Sequence, residues 1–259
     1  MSIEIIGYIA SILIGISLGL IGGGGSILTV PVLVYLMHIN PLLATASSLF
    51  IVGTTSLVGG LRAYSKNLVD FKAVTEFGIP SIFSIFITRH FILPKLPDTL
   101  FVSRVLMIFF AILMVAASFS MIKNNKTAEQ GPARETESKS LPLLLLGLLV
   151  GVVTGLLGAG GGFLIIPSLV LFLRLPMKIA VGTSLLIIGI NSFLGFLFSF
   201  KQFEYDWTIL IIFTVLAIFG IFIGSKLSER IPGSSLKKGF GWFVIAMAVW
   251  IVIYELAVK

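Results

Sequence analysis

The chain holds no cysteine, which excludes disulfides and thiolate metal sites. Histidine is almost as scarce. His38 and His90 stand far apart near segment ends, so no metal site is expected. Charged residues make up only 11% of the sequence, whereas a soluble domain carries about 25%. Neither H-E-x-x-H nor G-x-S-x-G occurs, so no catalytic residue and no cofactor is expected, and an intramembrane enzyme is the weakest of the functional alternatives. What the chain has in abundance is apolar: 57% hydrophobic residues and a mean hydropathy of +1.12. No water-soluble fold hides that much apolar surface, so the surrounding solvent is lipid. The net charge of +7 is scattered over short segments between apolar runs. Positive charge there orients a membrane protein, and it is not the footprint of a nucleic-acid binder.

The apolar runs fall at roughly 5–21, 26–37, 42–61, 71–93, 100–122, 141–157, 162–173, 179–199, 207–224 and 239–257. Eight are long enough to cross a bilayer as helix. Residues 1–20 lack a basic leader segment, so the first run is expected to be retained. The runs at 26–37 and 162–173 have about 12 residues, roughly 18 Å of helix, which is too short to cross alone. Each follows a glycine cluster, in "GLIGGGGSILTVPVLVYL" from Gly19 and "GLLGAGGGFLIIPSLVLF" from Gly155. One strongly polar stretch, 123–140, divides the chain nearly in half and reads as a solvated linker. The expected organisation is therefore a first membrane repeat at 1–122, the linker at 123–140 and a second membrane repeat at 141–259.

The two halves match each other at an offset of 136 positions. Gly15, Gly19, Gly22, Gly24, Gly25 and Pro31 meet Gly151, Gly155, Gly158, Gly160, Gly161 and Pro167. Ala44, Ser48, Leu49, Gly53, Ser56 and Gly59 meet Ala180, Ser184, Leu185, Gly189, Ser192 and Gly195. Across 15–59 and 151–195, 17 of 45 positions are identical without a gap, more than shared apolar composition accounts for. If each glycine-broken unit folds back as a hairpin, each half crosses five times and the repeats are inverted. With the N-terminus outside, 13 of the 18 Lys and Arg then fall inside and 5 outside, in line with the positive-inside rule. If each unit crosses once, the repeats are parallel and the bases split evenly. The expected fold is all-α, with two homologous repeats of about four transmembrane helices plus a glycine-broken half-helix each, in inverted orientation.

Backbone that leaves helical geometry inside lipid must face protein or a water-filled cavity. Where a helix restarts after the break, near Ser26 and Gly162, its first N–H groups have no intrahelical partner and carry the positive end of the helix dipole. That is an anion site made without a charged side chain. Gly22, Gly23, Gly24, Gly25 and Ser26 in the first half, and Gly158, Gly160, Gly161 and Gly162 in the second, are the candidate substrate-binding residues. A second polar cluster follows each break: Ser47 and Ser48 match Thr183 and Ser184, Thr55 matches Asn191, and Ser56 matches Ser192. Ser47, Ser48, Thr183, Ser184 and Asn191 join the candidate site. The bland alternative for the hydroxyls is a bond to their own helix's carbonyls, and for the glycines it is close helix packing. Gly15–Gly19 and Gly147–Gly151–Gly155 fit packing. Asp70 and Asp206 each begin a helix and read as caps. Lys72 and Glu76 read as a helix-face ion pair. Arg89 and Arg104 sit near helix ends and read as snorkelling. No carboxylate falls clearly at mid-membrane. If transport is coupled to protons, Glu76 is the least poor relay candidate.

The two glycine stretches, each followed by a hydroxyl-rich helix ("ATASSL", "AVGTSL"), resemble the sulfite exporter TauE/SafE family, also called the toluene-sulfonate uptake permease group. The similarity covers nearly the whole chain. Ser26 departs from the glycine at the matching position of the second half, Gly162. The resemblance implies a multi-pass transporter of the cell (inner) membrane that carries small sulfur-containing anions such as sulfite, sulfoacetate or other sulfonates. The implied partners are that anion, the lipid bilayer and a proton as candidate coupling ion, with homo-oligomerisation left open and no nucleic acid. The competing function is a passive anion channel, although the sequence has no ring of charge or filter motif.

Overall fold

The computed structural model describes residues 2–95, 100–123, 140–158 and 160–257. It is helical throughout: α1 (Ser2–Ile21), α2 (Gly24–Pro31, prolonged by a π-helical turn Val32–Leu36), α3 (Pro41–Ser65), α4 (Phe71–Ile87, prolonged by a π-helical turn Thr88–Ile92), α5 (Leu100–Lys123), α6 (Ser140–Leu157), α7 (Gly162–Leu171), α8 (Met177–Ser199), α9 (Trp207–Ser228) and α10 (Gly233–Ala257). The polar linker expected between the halves lies outside the described residues apart from its two ends. Helix starts follow local chemistry. Asn40 accepts from the Leu42 amide with Pro41 at the first helical position. Asp70 caps α4 through the Ala73 amide, and Asp206 caps α9 through the Thr208 and Ile209 amides.

Among the described residues, five helical stretches are long and apolar enough to cross a membrane: Pro41–Ser65, Phe71–Lys95, Met177–Gln202, Trp207–Ser228 and Ser234–Tyr254. The sequence led us to expect eight. Shorter apolar helical stretches lie at Ile5–Ile21, Met107–Ala116 and Leu143–Leu157, inside the other three expected runs. Large apolar side chains such as Leu13, Ile112, Phe219, Trp242 and Ile253 cover the periphery. In water such a surface would be an aggregation liability, and in a bilayer it is the lipid contact.

Helices of one half pack on helices of the other: α1 on α9, α4 on α6, α5 on α10, α2 on α7 and α3 on α8. The glycines read as packing residues serve as such. Gly15 and Gly19 lie against Ala217 and Ile221 of α9, and Gly147, Gly151 and Gly155 against Phe77, Ser81 and Thr88 of α4. At the centre, α3 and α8 run antiparallel. Gly195 faces Leu49, Gly53 faces Phe193, Gly189 faces Leu57, and Gly60 faces Leu186. The first broken unit folds back on itself, which sets Gly25 beside Leu18 and Gly7 beside Met37.

Candidate functional site

Gly22 ends α1 with φ +82°, and Gly158, Gly160 and Gly161 carry φ of +66°, +66° and +70° after α6. Only glycine takes such values without strain. The helices restart at Gly24 and Gly162, the first two residues ahead of the expected Ser26. Ser26 instead donates from its hydroxyl to the Gly23 carbonyl at 2.7 Å. The two breaks meet backbone to backbone: a Cβ on Gly162 would lie 2.5 Å from Gly23 Cα, and one on Gly23 2.8 Å from Gly162 Cα. Close approach thus accounts for these two glycines, and the space directly between the breaks is filled by backbone.

Helices α3 and α8 wrap this crossing. Gly22 lies against Val181 and Ser184, Gly158 against Thr45, and Gly160 against Ile188, Ser192 and Val52. The candidate hydroxyls divide into two groups. Ser184 donates to the Val181 carbonyl at 2.8 Å, and Thr183 accepts from the Asp70 amide at 2.9 Å, which ties the start of α4 to α8. Both are committed to local structure. Ser47 is buried. Ser48, Thr55, Ser56 and Ser192 are also buried, and their hydroxyls meet no partner among the described residues. Asn191 donates to Ser81 Oγ at 2.7 Å, and its Oδ1 is left unpaired. Buried polar groups of this kind are costly unless a ligand or water answers them. Thr55, Ser56 and Ser192 were legible as matched polar positions. Thr154, buried and unpaired beside Gly161, was not, because its counterpart in the first half is Leu18.

On the side of the first break a cavity of about 60 Å³ opens between α1, α3, α8 and α9. It is lined by Gly19, Arg62, Lys66, Lys178, Val181 and Glu229, among others, and holds several water-sized groups. Val181 lines it and also touches Gly22, so the cavity lies next to the break. Lys66 bonds the Glu229 carboxylate, Arg62 approaches it at 3.8 Å, and Lys178 donates to the Glu229 carbonyl at 3.2 Å. The Lys66 hydrogen bond, then the charges of Lys66, Arg62 and Lys178, hold the Glu229 carboxyl below the usual carboxylate range. Three cations face one carboxylate.

The structure corrects one expectation outright. Arg89 does not snorkel: it is 0% exposed, and none of its three guanidinium nitrogens meets a hydrogen-bond partner among the described residues. The π-helical turn 88–92 that carries it packs on α6 and α8, with Thr88 and Arg89 buried and His90, Phe91 and Ile92 exposed. Lys72 and Glu76 do pair, at 4.0 Å. Among the described residues no group of three His, Cys, Asp or Glu could hold a metal.

The profile of the family described as "Sulfite exporter TauE/SafE" matches residues 8–251. A probable membrane transporter protein of Xylella fastidiosa (strain 9a5c) is 31% identical over 245 residues, 93% of this chain and 91% of the relative. The probable membrane transporter protein MJ0441 of Methanocaldococcus jannaschii is 30% identical over 193 residues, covering 72% and 68% of the two chains. The probable membrane transporter protein YunE of Bacillus subtilis is 26% identical over 238 residues, covering 82% of each. No solved structure matches the chain significantly.

Proposed function

The chain belongs to the sulfite exporter TauE/SafE family, and on that premise we propose that it is a secondary transporter of small sulfur-containing oxyanions, sulfite or organosulfonates, in the cell (inner) membrane. The observation that carries this reading is the juxtaposition of the Gly22 break with the cavity flanked by Arg62, Lys66 and Lys178. The cations draw an anion in, and hydroxyls and free amide hydrogens near the break can replace its hydration. Ser48, Ser56 and Ser192, buried and unpaired, are the groups offered to the substrate deeper in.

The same reading takes the halves as inverted repeats. Support comes from the antiparallel course of the matched helices α3 and α8. It comes also from the left-handed backbone shared by His38 (φ +54°) and Arg174 (φ +55°), which the offset of 136 superposes. Left-handed non-glycine residues are uncommon, so two at matched positions favour duplication. The Gly23–Gly162 contact leaves backbone and no opening directly between the two breaks, which favours alternating access over a passive pore.

Purified protein in liposomes loaded with unlabelled sulfite is expected to take up labelled sulfite by saturable counterflow that ethanesulfonate inhibits. Flux that rises linearly with concentration would point to a pore, and absence of flux with either anion removes the oxyanion reading.

Glu229 competes with the substrate for the cavity's cations, so Glu229→Gln is expected to lower the uptake KM for ethanesulfonate severalfold. The sign with pH follows. A carboxyl whose pKa is depressed in the folded protein stays charged above the ordinary carboxylate value and loses its charge only as pH falls through the depressed one. Wild-type KM should therefore be flat from neutral pH down to about pH 4 and fall only below that, while the variant stays flat. A wild-type KM unaffected by both the substitution and acid would refute the competition.

A further inference from the structure

We infer that Arg89 holds a small oxyanion in a second chamber, beside the second glycine break, that is closed around the side chain in this conformation. The inference rests on the oxyanion reading and on the pairing of the two halves.

The physical demand comes first. An arginine cannot shed its proton in a protein, and burying its charge is expensive unless an opposite charge or hydrogen-bond acceptors answer it. Within a membrane-spanning segment such a residue marks a substrate pathway by default. Arg89 is wholly buried, and its guanidinium nitrogens meet no hydrogen-bond partner among the described residues. It sits on a π-helical turn, a local widening of the helix often found at functional sites.

Its position gives the demand a direction. The offset of 136 carries Gly19, Gly59, Arg62, Lys66, Val181 and Ser225, all lining the basic cavity, onto Gly155, Gly195, Phe198, Gln202, Thr45 and Arg89. That second set also gathers around one region. Thr88 packs on Gly155, Ile85 packs on Gly195, Gly158 packs on Thr45, and Gln202 donates to the Arg89 carbonyl at 3.1 Å. Arg89 therefore occupies, beside the Gly158 break, the place that the open cavity occupies beside the Gly22 break. The cations of the first chamber, Arg62, Lys66 and Lys178, are replaced in the second by Phe198, Gln202 and Leu42. Arg89 is the positive charge that this set retains. An anion crossing from one break to the other would leave a solvated trio of cations and arrive at a single desolvated guanidinium, whose planar fork matches two oxygens of a sulfite or sulfonate group.

The test uses the purified full-length protein, with sodium sulfite, sulfate and ethanesulfonate against chloride at constant ionic strength. Wild type is expected to gain thermal stability with sulfite or ethanesulfonate. Arg89→Gln should lose most of that gain and bind at least tenfold more weakly. Without anion it should be no less stable than wild type, because an unanswered buried charge has been removed. A merely structural arginine predicts the reverse: lower stability without anion and an undiminished response to it. That result overturns the assignment while leaving the oxyanion reading intact. A wild type that no anion stabilises overturns both. Should Arg89→Gln fail to accumulate, Arg89→Met fills the same space without charge. If neither neutral variant folds and Arg89→Lys binds sulfite as wild type does, the assignment is likewise overturned.

Discussion

Gly158→Ala is expected to reduce sulfite counterflow to background and to lower the thermal midpoint by several degrees. Two independent penalties fall on the added methyl group. The backbone sits at φ +66°, where a side chain costs about 1–2 kcal/mol. The new Cβ would also lie 2.5 Å from Thr45 Cα and 2.6 Å from its carbonyl carbon. These are backbone atoms of a central helix and cannot swing aside, so overpacking adds about 1–3 kcal/mol. Gly22→Ala at the matching position carries φ +82°, but its nearest collision is the Ser184 hydroxyl at 2.7 Å, with Val181 Cα at 3.2 Å. A hydroxyl can rotate, so this variant should be the milder of the two. Gly78→Ala is the control. Nothing lies within 4 Å of its added Cβ, and a glycine replaced by alanine inside a helix gains about 0.5–1 kcal/mol. Gly158→Ala retaining half or more of wild-type counterflow would show that the second break tolerates a side chain and is not part of a tightly fitted site.

Reversing charge at the basic cavity should be as damaging to transport while leaving the fold in place. In the double variant Lys66→Glu, Lys178→Glu, three cations and one carboxylate become one cation and three carboxylates around the same space. Unit charges several ångströms from an anion at a half-wet site are worth about 1 kcal/mol each. Four units of charge change therefore predict an uptake KM raised by about a hundredfold or more at low salt. The loss should shrink as salt is raised from about 0.05 M to 0.5 M, because the Debye length falls below the size of the cavity. Thermal stability should change far less than KM, since both lysines are exposed at the helix ends and surface pairs contribute little to folding. An unchanged KM in the double variant would remove the cavity from the transport path.

Much of this architecture was legible in the chain. Apolar runs of fixed length gave most of the helices, because lipid allows backbone groups no partner outside their own helix. Asp70 and Asp206 were legible as caps because a short acidic side chain before an apolar run has one common use. The paired glycine breaks were visible because consecutive glycines exceed what helix packing asks for. What could not be read was which glycine does what. Gly23 and Gly162 are small because two backbones cross there, Gly22 because φ is positive there, and Gly158 for both reasons. The sequence writes both as the same letter. The candidate hydroxyls were equally silent: Ser184 and Ser48 occupy matched positions, yet Ser184 bonds its own helix and Ser48 is unpaired.

By itself, then, the sequence determined that this is a helical membrane protein and pointed to two matching stretches, each with a glycine break, because hydropathy, spacing and self-similarity are properties of the order of residues alone. Which helices meet, where Arg62, Lys66 and Lys178 assemble with Glu229, and that Arg89 is buried and not at the lipid surface were decided only by the tertiary structure. Each depends on contacts between residues fifty or more positions apart in the chain or on the packing of one helix face against another, and local composition carries no record of those distances.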